Sequence, residues 1–153
     1  MKIAVGSDHA GYELKEAVLS LLRDQGVDYK DFGAYSTDSV DYPDIGSKAA
    51  EAVANGECDR GILICGTGIG MSITANKVPG IRAALCTTPY CAVMSREHND
   101  ANVLVIGARV TDQETALEIA RTWLATEFPN DPRHARRIQK MADIDKRYHG
   151  GGC

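Results

Sequence analysis

The 153-residue sequence has no CxxC pair, no block of like charge longer than a few residues and no run of about 18 apolar residues. Each absence removes a class of protein. The five cysteines, Cys58, Cys65, Cys86, Cys91 and Cys153, form an odd set with neither zinc-knuckle spacing nor the density of a disulfide scaffold, so reduced thiols are expected. A formal charge of −4 without a basic block argues against nucleic acid as a partner, and any anion must be bound locally. No candidate membrane span exists, and Met1-Lys2 leads directly into Ile3-Ala4-Val5 without a signal-like stretch, so a soluble, cytoplasmic protein is expected. No internal repeat, linker or composition break marks a second domain. One domain over residues 1–149 is expected, followed by a disordered tail at 150–153.

Several chemical motifs are missing as well. No GxxxxGK[ST] is present, which removes a P-loop. The turn Gly66-Thr67-Gly68-Ile69-Gly70 has Met71 where a dinucleotide fingerprint needs its third glycine. Met71 also stands where a cysteine phosphatase would place the arginine of its Cys-x5-Arg cradle.

What is present is an alternation. Strand-like runs at Ile3 to Gly6, Tyr29 to Phe32, Gly61 to Cys65, Ala83 to Cys86 and Val103 to Gly107 lie between helix-like ones, which predicts βαβ units around a five-stranded parallel sheet. Leu14, Ala17, Val18, Leu21 and Leu22 keep amphipathic spacing until Gly26. Pro43 opens a second helix through Val53, and a third is expected from the glycine turn to Pro79-Gly80. A fourth is expected over Pro89 to Glu97. Thr111-Asp112-Gln113-Glu114 has the form of a capping box before a fifth helix that Pro129 breaks. A polar, basic helix is expected over about 132–148, its narrow apolar stripe suited to a domain edge or a partner subunit.

Ligands of parallel sheets bind outside the carboxyl ends of the strands. Three suggestive segments fall there: Asp8-His9 after the first strand, Cys65 with its glycine turn, and Arg109 after the last strand. A thiol beside a glycine turn that opens a helix can be made a thiolate, and the turn's amides can hold an anion. Cys65 could equally be a small buried hydrophobe, and Thr67 a helix N-cap. Asp8 and His9 could be a turn pair capping the first helix, and Tyr42 packing. His98-Asn99-Asp100 precedes the last strand, at its opposite end, and would reach Cys65 only by a folded-back loop or from another subunit. His98 could move a proton near neutral pH or be an ordinary surface histidine. Arg133 and Arg137 share a helix face and, with Arg109, could clamp a phosphate or simply be solvated.

Taken together, Ser7-Asp8-His9-Ala10-Gly11, Asp41-Tyr42-Pro43, Gly61 to Gly70, Asn76 to Ala83, Ser95 to Asp100, Gly107-Ala108-Arg109-Val110, and Arg133-His134 with Arg137 closely resemble the ribose-5-phosphate isomerase type B family, which includes the subunits of galactose-6-phosphate isomerase. The matches span nearly the whole chain. The resemblance implies a Rossmann-like three-layer α/β/α homodimer, sometimes paired into tetramers, whose active sites are shared between subunits and use no metal or cofactor. It implies that Cys65 moves a proton between C2 and C1 of a sugar phosphate, that the amides of Gly66, Thr67, Gly68, Ile69 and Gly70 hold the enediolate oxygen, and that Thr67 and His98 assist ring opening. Asp8 and Tyr42 would lie nearby. Asn99 would bind sugar oxygens, and His9, Arg109, Arg133 and Arg137 the phosphate. Some relatives replace this cysteine and use a glutamate base farther along; by the resemblance Cys65 places the chain in the cysteine subgroup, and the position six on from Thr67 is Ile73, which is no base. His134 receives no role, and the tail falls outside the pattern. Two other readings are an isomerase preferring a six-carbon sugar phosphate, such as allose 6-phosphate or galactose 6-phosphate, and a non-catalytic sugar-phosphate sensor.

Overall fold

The computed structural model describes residues 1–149; the expected disordered tail, 150–153, lies outside the described residues. Strands β1 (Lys2–Ser7), β2 (Asp28–Asp31), β3 (Arg60–Cys65), β4 (Ala83–Leu85) and β5 (Val103–Gly107) alternate with helices α1 (Tyr12–Asp24), α2 (Tyr42–Ala54), α3 (Ile69–Ala75), α4 (Pro89–Asn99) and α5 (Gln113–Ala125), and α6 (Pro132–His149) follows. All pairings are parallel, in the order β2-β1-β3-β5-β4. The chain builds outward from β1 to β2 and then crosses to β3 on β1's other side, leaving a crevice between the carboxyl ends of β1 and β3 where the connections diverge.

The two-residue period of the strands sorts the core into two layers. Ile3, Val5, Ile62, Ile64, Leu104 and Ile106 pack with Val18 and Leu22 of α1, Ala92 of α4, and Ile119 and Trp123 of α5. Ala4, Leu63, Cys65, Val103 and Val105 pack with Ala49, Ala50 and Val53 of α2 and with Met71 and Ala75 of α3. Burial on both faces explains why the central strands read as continuous apolar runs. The result is the expected three-layer α/β/α arrangement. Among the described residues no helix is long and apolar enough to cross a membrane.

Three expected helix ends are corrected. The third helix stops at Ala75, short of Pro79, because Asn76 caps it: the Asn76 amide donates to Ser72 O and Ala83 O and accepts from Ala83 N, turning the chain into β4. The fourth runs past Glu97 to Asn99, so His98 and Asn99 are helical, with Asp100 at φ 43° closing the turn. The cap of α5 is Asp112, not Thr111; its carboxylate accepts from Thr115 N and Oγ1 at 3.0 and 2.8 Å.

Helix α6 lies beside the loop that leads into β4. Its start meets the end of α4, where His134 stacks on His98, and its Asp145 accepts from Gly80 N at 2.6 Å in the loop before β4. Between α6 and that loop lies a largely apolar cavity of about 460 Å³ lined by Ile81, Met141, Ile144 and Tyr148 among others.

Candidate active site

Cys65 ends β3 opposite Gly107 of β5, and only 4% of it is exposed. The chain beyond it is zipped to the end of β5: Ala108 N donates to Cys65 O and Arg109 N to Gly66 O, both at 2.8 Å. The Arg109 side chain lies along this loop, its Cδ and Nη1 3.4 Å from where a Cβ on Gly66 would be. Gly68 turns the loop with φ +80°, a conformation that favours glycine, and stands at the N-cap of α3. That corrects the alternative of Thr67 as N-cap: the Thr67 hydroxyl instead accepts from Ile69 N at 3.2 Å, within the turn. Among the described residues the amides of Gly66, Thr67, Gly68 and Gly70 have no protein acceptor. Four unpaired donors beside a thiol make a place for an oxyanion.

Asp8 and His9 approach the same loop from β1. Asp8 N donates to Ile64 O at 3.2 Å, fixing Asp8 beside the end of β3, and its nearly buried carboxylate accepts from Gly11 N at 3.0 Å. Asp8 is thus a turn residue ahead of α1, but the expected capping of that helix by the Asp8-His9 pair is corrected: its N-cap is Gly11, which receives no side-chain cap, and the second Asp8 oxygen stays available. His9 Nδ1 accepts from Val40 N at 3.3 Å, which leaves Nε2 to carry the ring's proton. Tyr42 begins α2 with its ring over Gly70: a Cβ there would be 2.5 Å from the Tyr42 Cζ. A cleft of about 500 Å³ is bounded by Asp8, His9, Val40, Asp41 and Tyr42.

The remaining candidates form a second cluster. His98 and His134 stack with ring centroids 4.1 Å apart and planes 15° from parallel, and an Arg133 Nη2 lies 3.3 Å from His134 Nε2. Arg137 follows one turn on from Arg133. Burial, helped by the charges of His98 and Arg133, holds the His134 imidazole below its ordinary range. Asp131 anchors this end of α6 by accepting from Arg133 N at 2.9 Å, a bond that keeps its own carboxyl below the usual range. Asn99 O accepts from Arg82 Nε at 3.0 Å.

Within one chain the two clusters do not meet. Cys65, Thr67, Asp8, His9, Tyr42 and Arg109 lie at the carboxyl end of the sheet, whereas His98, Asn99, Arg133 and Arg137 lie at the amino end. The length of β5 alone separates these ends by roughly 13 Å, at about 3.3 Å per residue. The chain carries two separate clusters: one holds a thiol, unpaired amides and a cleft, the other two stacked imidazoles and arginines.

Known proteins share this arrangement of fold and sequence. Residues 3–141 match the family model described as Ribose/Galactose Isomerase. Ribose-5-phosphate isomerase B of Escherichia coli strain K12 is 47% identical over 146 residues, covering 95% of this chain and 97% of the relative. The solved structure of ribose-5-phosphate isomerase B from Clostridium thermocellum superposes with a TM-score of 0.94 at 58% identity, covering 97% of this chain and 99% of that one. The chain belongs to the ribose/galactose isomerase family. It is an isomerase, and the relatives extend to a protein of Pectobacterium atrosepticum named D-erythrulose-4-phosphate isomerase, 44% identical over 129 residues and matched over 84% of this chain and 85% of that one.

Sequence reasoning missed two buried ionic devices of this isomerase. Lys15, fully buried, places its Nζ 2.7 Å from Asp31, whose other oxygen accepts from Gly33 N, tying the segment after β2 to the end of β1. Its signal was a lysine at i, i+4 and i+7 spacing with Leu19 and Leu22 on the inward face of α1. Arg96, also buried, binds the turn that follows His98. It stood inside the Ser95 to Asp100 motif without a role of its own.

Proposed function

We propose that this isomerase interconverts ribose 5-phosphate and ribulose 5-phosphate through an enediolate, with Cys65 as the base. The observation that carries the reading is the placement of Cys65, at the carboxyl end of β3, beside four unpaired loop amides. Isomerisation needs a base near C1 and C2, donors for the developing oxyanion, a proton for the ring oxygen and an anchor for the phosphate.

In this mechanism His98 of the partner subunit protonates the furanose oxygen as the C1 hydroxyl loses its proton, with Thr67 assisting, and the open-chain aldehyde results. The Cys65 thiolate then takes the C2 proton; the electron pair of the C–H bond moves to the C1 carbonyl, giving an enediolate whose oxygen the unpaired amides of Gly66, Thr67, Gly68 and Gly70 hold, while the Ile69 amide is engaged by the Thr67 hydroxyl. Return of the proton to C1 leaves the carbonyl at C2, with the hydroxyl proton moved from O2 to O1, so that no atom is gained or lost. Asp8, Tyr42 and Asn99 contact sugar hydroxyls, and His9 and Arg109, with Arg133 and Arg137 of the partner subunit, bind the phosphate. A homodimer with shared sites is supported by the separation of the two clusters, since a partner must bring His98 to Cys65, and the apolar cavity against α6 offers surface for such a contact.

Cys65→Ala is the direct test. The substitution removes one sulfur from a packed position and leaves the chain folded, while deuterium exchange at C2 of ribose 5-phosphate falls by at least about 10²-fold, as expected for loss of a proton-transfer group. Near-normal exchange in a folded variant refutes the assignment. The family's spread of substrate names favours one second reading, a preference for another chain length. Comparing kcat/KM across four-, five- and six-carbon sugar phosphates decides it, and saturable binding without exchange would instead mark a sensor.

A further inference from the structure

Arg96 occupies an unusual place for a cation: it is 4% exposed, and the second buried guanidinium, that of Arg60, also lies within 6 Å of the Trp123 ring. Burying guanidinium groups together is costly unless their donors are used, and apolar side chains would fill the same space without that cost. The donors of Arg96 are spent on the chain around His98. Its Nη1 donates to Ala101 O at 2.7 Å and lies 2.8 Å from the Asp100 carboxylate, while Nε donates to Thr126 O at 3.1 Å. Arg60 donates to Leu124 O at 3.4 Å and pairs with Glu127 at 2.9 Å, holding the end of α5 to which Arg96 is anchored.

His98 and Asn99 therefore sit between Arg96 and a turn that Arg96 itself pins. Asp100, the left-handed residue of that turn, donates its amide to Arg96 O at 3.0 Å, and Ala101 N donates to Ser95 O at 2.9 Å. From outside, Arg82 donates to Asp100 O at 2.8 Å and to Asn99 O. The last turn of a helix ordinarily frays, because its carbonyls lack partners. Here the turn is closed by a planar fork whose direction a lysine's point charge does not reproduce.

We infer that Arg96 is a positioning residue for ring opening: by locking the Asp100–Ala101 turn to the end of α5 it fixes the His98 imidazole at the angle needed to protonate the furanose oxygen. The inference rests on the reading of His98 as the ring-opening donor.

The test uses two substrates that differ in their need for that step. Ribose 5-phosphate is a furanose and must be opened. Ribulose 5-phosphate cannot close a furanose ring, because its C5 oxygen is esterified, so deuterium exchange at its C1 needs only the base and the loop amides. Arg96→Met and Arg96→Lys are each measured for isomerisation of ribose 5-phosphate and for C1 exchange in ribulose 5-phosphate, with near-UV circular dichroism to establish folding. In Arg96→Met the expected result is a fall in ribose 5-phosphate kcat of about 10²-fold, the scale of an ångström's misplacement, with C1 exchange near the wild-type rate. Arg96→Lys, which keeps the charge and one donor, falls between and serves if the methionine variant does not fold. A merely structural role lowers both rates by one factor, and an equal loss, or no loss, overturns the inference. His98→Asn separates the two possible failures. If that variant splits the two rates and the Arg96 variants do not, the positioning role is wrong. If neither splits them, the proton-donor reading is wrong and the positioning role falls with it.

Discussion

Gly70→Ala separates the site from the stability of the fold. Gly70 is the second residue of α3 and its backbone is helical, so alanine gains about 1 kcal/mol of helix propensity. The new Cβ would stand 2.5 Å from Tyr42 Cζ, 2.7 Å from Cε2 and 2.9 Å from the phenol oxygen. Carbons in contact prefer about 3.5–4.0 Å, so the ring must retreat by roughly 1 Å. Tyr42 is 39% exposed and yields at the outer end of its side chain, at a cost of about 1 kcal/mol in rotamer strain. The two terms offset, and the urea midpoint is expected to stay near wild type. Activity has no such compensation, because the displaced ring borders the cleft. A shift of this size predicts a fall in kcat/KM of roughly 10- to 100-fold, or about 1.4–2.7 kcal/mol. The assay is initial-rate isomerisation of ribose 5-phosphate by Gly70→Ala, Tyr42→Ala and the double variant. Since the methyl acts through Tyr42, it should cost almost nothing further once the ring is gone. An undiminished penalty in the Tyr42→Ala background refutes this reasoning and means that the methyl obstructs the loop itself. Unchanged activity in the single variant refutes it as well.

Three further outcomes are expected. Co-refolding Cys65→Ala with His98→Ala, each nearly inactive alone, should restore about a quarter of the sites, because half of the randomly paired dimers carry one intact site; no recovery argues against shared sites. His134 is held below its ordinary 6.5 by burial and by His98, Arg133 and Arg137, with Asp131 opposing. A depressed folded value means that its contribution is present above about pH 6.5 and is lost as pH falls, while the unfolded chain takes up the proton first; the urea midpoint should drop from pH 7 to 5, and His134→Phe should flatten that limb. Lys15→Met should cost about 2 kcal/mol by leaving Asp31 unpaired, less than a fully buried pair because the Asp31 side chain is 23% exposed; adding Asp31→Asn should recover part of the loss in urea unfolding, and no recovery would refute the pairing.

Much of the fold was legible because the central strands β1, β3 and β5 are buried on both faces and so appear as apolar runs between punctuating glycines and prolines. Gly61 to Cys65 and Val103 to Gly107 are of this kind. Helix ends were less legible where a side chain acts across distance. Asn76 ends α3 by binding Ala83, seven residues on, and no local periodicity registers that bond. Thr67 and Thr111 both had the right type for a cap, but Gly68 and Asp112 took the position because the local turn geometry favoured them.

The candidate site divides along the same line. The thiol at a strand end, the glycine turn after it and the arginine after the last strand were evident in the order of residues, because parallel strands place their carboxyl ends on one edge whatever their order in the sheet. The amino-acid sequence by itself therefore determined the chemistry available and the edge on which half of it gathers. Only the tertiary structure decided that β1 and β3 are neighbours, that Tyr42 lies over Gly70, that His134 stacks on His98, and that Arg96 locks the turn beside them. Those are contacts between segments distant in the chain, or geometries set by burial, and they follow from how two core layers close around the sheet rather than from any spacing along it.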